Sequence, residues 1–126
     1  AIDLNTGEHV WQTAFGKGPA NHPLLEHLNL PDLGSVFTDV SAEGGILITK
    51  GLVISHLPQK DEVNEDADGS ILVAYDKLTG DKVGEVTVDR RLHGPVMSYL
   101  SGGKQYIAIA GGRFDTAEMI SFALPD

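Results

Sequence analysis

The chain has 126 residues, 41% of them apolar, with 15 Gly, no Cys and a net charge of −9. That length holds one small domain or about two units of a repeat assembly, and the absence of Cys excludes a disulfide framework and thiolate metal sites. The 9 Lys and Arg are dispersed, so no basic face exists for nucleic acid or anionic lipid, and no apolar run approaches the roughly 18 residues of a membrane span.

The chain opens on Ala1-Ile-Asp3-Leu-Asn-Thr6-Gly7, and the same pattern returns as Ala74-Tyr-Asp76-Lys-Leu-Thr79-Gly80. Each copy of Ala-x-Asp-x-x-Thr-Gly sits between apolar alternating segments. Two antiparallel strands joined by a turn that Asp and Thr brace and Gly relieves would read this way. The chain is therefore a repeat array, and an opening inside one copy implies that it was cut from something larger. In a four-stranded blade numbered A to D from the inside out, Ala1 ends a C strand and His9–Phe15 alternates like a D strand. A polar connection from Gly16 to about Glu43 carries His22, Glu26 and His27, whose spacing matches no common metal-ligand pair. Gly45–Thr49 and Leu52–His56 read as strands A and B, joined at Lys50-Gly51. The acidic connection Leu57–Gly69 leads to strand C at Ser70–Tyr75, and Lys82–Val88 is strand D. Pro95–Leu100, Gln105–Ala110 and Met119–Leu124 begin the next blade, which lacks its D strand.

Within the acidic connection, Asn64–Ile71 imitates the first half of a calcium loop. Tyr75 stands where the bidentate Glu belongs, so a solvated acidic loop is the reading. A Ser98/His93/Asp39 hydrolase finds no support, because there is no nucleophile elbow and Ser98 lies inside a strand. In an up-and-down meander alternate connections share an edge. The long or charged links (16–43, 57–69, 89–94 and 111–116) then fall on one face and the tight Gly turns on the other, which makes the elaborated face the place to look for function.

The repeat with its following Trp11 resembles the tryptophan-docking motif of quinoprotein glucose and alcohol dehydrogenases, which are eight-bladed β-propellers holding pyrroloquinoline quinone. His93-Gly-Pro-Val-Met-Ser-Tyr99, Gly103–Gly112 and Ile120–Asp126 are similar to the closing segment of the membrane-type glucose dehydrogenases. The resemblance implies an all-β, partial propeller of about two four-stranded antiparallel blades. Residues 1–15 would end one blade, 44–89 form the penultimate one and 94–126 the last. It further implies the C-terminal portion of a periplasmic dehydrogenase that oxidises a sugar or alcohol, with pyrroloquinoline quinone and Ca²⁺ in the full-length parent and neither expected on this segment alone, which would itself be inactive. The alternative is a non-catalytic propeller scaffold of the outer-membrane assembly type. The implied docking set is Ala1, Asp3, Thr6, Gly7 and Trp11, with Ala74, Asp76, Thr79 and Gly80; Trp11 would stack between Ala1 and the Gly80 peptide. Gly84 stands where the second copy would have its Trp. Arg113, where those dehydrogenases carry a His, and His93 are the candidate cofactor contacts, the competing readings being a solvated loop Arg and a His hydrogen-bonded within its turn. The implied partners are upstream blades or other copies of the chain in a head-to-tail ring, with no nucleic acid and no membrane span.

Overall fold

A computed structural model describes residues 1–15, 24–29, 45–58, 69–112 and 115–123. Arg113, His22, Asp39 and the acidic run 59–68 lie outside the described residues. Among the described residues seven strands form two antiparallel meanders: β1 (Leu47–Ile48), β2 (Leu52–Pro58), β3 (Ser70–Asp76) and β4 (Lys82–Val88) in the first sheet, and β5 (Leu92–Ser101), β6 (Lys104–Gly111) and β7 (Glu118–Ala123) in the second. A 3-10 turn, Glu26–Leu28, is also present.

The period-2 pattern of each strand dictates how the sheets meet. Ile54 pairs with Ala74, His56 with Leu72, and Ser70 with Val88, so these residues share one face of the first sheet. In the second sheet Leu92 pairs with Gly111 and Ile109 with Ile120. Those two faces close on each other, and Ile54, Leu72, Val88, Leu92, Val96 and Ile109 form one buried cluster with Leu52, Ile107, Ile120 and Phe122 packed around it. Ile109 is fully buried, and removing its side chain to Ala from such a site costs about 2–5 kcal/mol. The reverse face of the second sheet stays open: Met97, Tyr99 and Met119 are 47%, 43% and 62% exposed, and Tyr99 stacks on Tyr106 at 5.1 Å. On the reverse face of the first sheet, Tyr75 is buried and meets the Phe15 ring at 6.5 Å. Its phenol pKa is raised, chiefly by burial, against the opposing pull of Lys82.

Three expected strands differ from what is observed. The expected strand Gly45–Thr49 shrinks to Leu47–Ile48, because the Gly45 N–H is drawn to Gly94 O at 3.2 Å and Thr49 closes a turn through Oγ1 and the Leu52 N–H at 2.9 Å. The stretch His9–Phe15 makes a single bridge, His9 to Ile2, and then runs on through side-chain contacts rather than a ladder. β5 starts three residues earlier than expected and carries a register irregularity between His93 and Met97, where Pro95 has no N–H to give and Gly94 has φ +71°.

The two Asp-Thr-Gly turns are built alike. Asp3 Oδ1 accepts from the N–H groups of Asn5 and Thr6 at 2.8 and 3.4 Å, and Asp76 Oδ1 from those of Leu78 and Thr79 at 2.8 and 3.0 Å. Thr6 Oγ1 accepts from Glu8 N–H and Thr79 Oγ1 from Asp81 N–H, both at 3.2 Å. Gly7 and Gly80 close the turns at φ +75° and +79°. They differ in what lies over them: a Cβ on Gly7 would meet nothing, whereas one on Gly80 would stand 2.5 Å from Trp11 Cε3. Gly80→Ala should therefore destabilise more than Gly7→Ala, which carries only the left-handed strain of about 1 kcal/mol. Urea titration of the two variants checks this, and equal losses would mean that the indole yields freely.

Candidate functional site

The links β2–β3, β4–β5 and β6–β7 emerge on one edge of the meanders, opposite the tight turns at Lys50-Gly51, Lys77–Asp81 and Gly102-Gly103. The structure brings polar groups from both sheets together on that edge, around the stretch Arg91–Gly94. Arg91 O accepts the Gly112 N–H at 2.9 Å. The Leu92 N–H donates to Ser70 Oγ at 2.9 Å, a bond with Ser70 1% and Leu92 2% exposed. Gly94 O takes two donors, the Gly45 N–H and His56 Nε2 at 3.0 Å. A carbonyl can only accept, so Nε2 carries the hydrogen. Ser55 Oγ in turn donates to Gly45 O at 3.3 Å, and Gly45 lies so close to Pro95 that a side chain there has no room. Arg91, Leu92 and Gly94, three of the four residues of this stretch, are thus held from the loop after β6, from β3, and from β2 with the segment before β1.

His93, a candidate from the sequence, sits in this clamped stretch. It is half-buried and pairs with Ala110, on the side of β5 opposite the buried Leu92. Arg113, the other candidate, follows Gly112 directly and lies outside the described residues. His56 was not singled out by the sequence, although a signal existed. It occupies the next position of the apolar alternation Leu52-x-Ile54, where a 3%-exposed imidazole is out of pattern unless something pairs with it. Among the described residues no group of three or more His, Cys, Asp or Glu could hold a metal ion. Ser98 Oγ donates to Tyr106 O at 3.0 Å and accepts from Gln105 Nε2, which leaves it a structural hydroxyl. His27 is exposed in the 3-10 turn.

At the other edge lies the Trp11 contact. The indole ring lies over Gly80, its Nε1–H donates to Lys77 O at 3.0 Å, and Thr13 Oγ1 donates to Gly80 O at 2.7 Å. The Ala1 amino group donates to Trp11 O at 2.7 Å. Gly84, at the corresponding place in the second copy, faces open space.

Two face-packed antiparallel meanders with duplicated Asp-Thr-Gly turns define an all-β chain that is part of a β-propeller. Residues 1–107 match the model of the glucose/ethanol/alcohol dehydrogenase β-propeller domain family of PQQ type, and the chain belongs to that family. No curated protein and no solved structure matched it. Among the described residues no helix is long and apolar enough to cross a membrane.

The clamp has a measurable weight. Ser70→Ala leaves the Leu92 N–H buried without a partner and should cost about 1–3 kcal/mol, more than Ser98→Ala, whose partners are exposed. Denaturant midpoints that rank the two variants the other way would remove Ser70 from the seam.

Proposed function

We propose that this chain is the C-terminal portion of a periplasmic quinoprotein dehydrogenase that oxidises a sugar or an alcohol. The observation that carries the reading is the family match over residues 1–107. Pyrroloquinoline quinone in the parent would supply a two-electron acceptor for the substrate. The base, the Ca²⁺ ligands and most of the cofactor contacts belong to upstream blades, and this segment by itself is inactive. Its own contribution is the rim, where His93 and Arg113 are the proposed contacts to quinone or substrate; a guanidinium is suited to a quinone carboxylate.

Residues 1–15, 44–89 and 94–126 are assigned as the end of one blade, the penultimate blade and the last blade. The division into two sheets, Leu47–Val88 and Leu92–Ala123, supports this assignment, with β5 starting two residues before the proposed limit. A partial propeller needs further blades to cover its outer faces, and the open Met97–Tyr99–Met119 face is where the next one would lie. Those blades are supplied upstream or by other copies of the chain. The Trp11–Gly80 contact is the proposed docking element between successive blades, and Gly84 leaves β4 without its equivalent. Trp11 is only half-buried, so Trp11→Ala should cost about 2–4 kcal/mol, and Trp11→Phe, which loses the bond to Lys77 O but keeps a ring, about 1 kcal/mol. A melting temperature unchanged by Trp11→Ala would sink the docking role.

Substrate-dependent dye reduction by the full-length parent, loaded with quinone and Ca²⁺, tests the enzymatic reading. Turnover with a sugar or alcohol is expected, and His93→Ala or Arg113→Ala should weaken quinone binding about tenfold or more, or roughly 1.4 kcal/mol. A parent that neither binds quinone nor turns over is the outcome for a propeller scaffold of the outer-membrane assembly type.

A further inference from the structure

We infer that His56 is a positioning residue, whose bond to the Gly94 carbonyl across the seam sets the direction in which His93 is presented on the loop edge. This inference takes from the proposed function only the choice of His93 as a residue that matters; the bond itself stands without it.

The seam face of β2 runs Leu52, Ile54, His56, and the first two are packed into the apolar cluster. An imidazole at 3% exposure on that face would be costly without a partner. Its Nε2 partner lies not in its own sheet but on the backbone of β5, at Gly94, and is also the acceptor of the Gly45 N–H. Two donors use both lone pairs of that one carbonyl. Gly94 has φ +71°, and the register of β5 against β6 is irregular from His93 to Met97, so the ladder does not fix the peptide plane here. The two donors do. Because Leu92 is held from Ser70 and Gly94 from His56 and Gly45, His93 is pinned on both sides while its own side chain faces away from the core. A side chain that only filled space would need no polar atom at this depth, and Leu or Met would fill it at lower cost. What the imidazole adds is orientation of the neighbouring segment, which is how supporting residues act on a site they do not touch.

The test is NMR on the whole chain, read at the Gly94 carbonyl carbon and the His93 ring protons. His56→Leu keeps the volume and removes the donor; it should move both signals and speed amide exchange at Gly45 about tenfold or more, whereas His56→Gln, which retains a donor, should restore most of the wild-type pattern. If His56→Leu leaves the Gly94 carbon and the His93 ring where they were, or if Gln and Leu shift them equally, the positioning role is overturned. Should the Leu variant fail to fold, the wild-type protein decides: a slowly exchanging Nε2 proton on His56 coupled to the Gly94 carbonyl supports the bond, and a rapidly exchanging one refutes it. None of these readouts uses quinone, so they can fail while the dehydrogenase reading stands, and the reverse.

Discussion

Neither sheet of this chain can bury its apolar face alone, and the face-to-face seam between them is the constraint on which the rest depends. Ile54, Leu72 and Val88 from one sheet meet Leu92, Val96 and Ile109 from the other. Burying such side chains stabilises by about 1.5–3 kcal/mol each relative to exposure, enough to set the relation between two sheets that share few backbone hydrogen bonds. The seam is apolar through its middle and polar at one edge. There the Leu92 N–H, the Gly94 carbonyl and the Gly45 N–H would otherwise be stranded away from water, and Ser70, His56 and the Gly45–Gly94 pair satisfy them.

The two edges of the fold differ in the same way. The tight-turn edge carries the Asp76–Gly80 turn, which bonds mostly within itself and receives Trp11 as a lid on Gly80. The opposite edge carries the longer links and the cross-sheet clamp, so side chains such as His93 are displayed there from a rigid base. The reverse face of the second sheet, with Tyr99 and Tyr106 stacked and Met97 and Met119 exposed, is an open apolar surface.

The repeat was legible because its chemistry is local. Asp3, Thr6 and Gly7, then Asp76, Thr79 and Gly80, act within six residues of chain, and the bonds found are those that Asp and Thr side chains make with nearby N–H groups. The long strands β3, β4 and β6 were readable from alternation. The strand read from the apolar run at Gly45–Thr49 and the one read from alternation at His9–Phe15 are both longer than the ladders that form, since such patterns mark what can pair and not what finds a partner. At Gly45 the backbone went to another sheet.

The sequence by itself determined the class: an all-β repeat array, acidic and free of Cys, with duplicated turns and a single Trp, because composition, period-2 patterning and turn chemistry are short-range properties. Only the tertiary structure decided which sheet faces meet, why Gly80 rather than Gly7 is covered, and that His56 belongs to the seam. His56 and Gly94 are 38 residues apart in the chain. No periodicity links them; they meet because two sheets with apolar faces have nowhere else to put them.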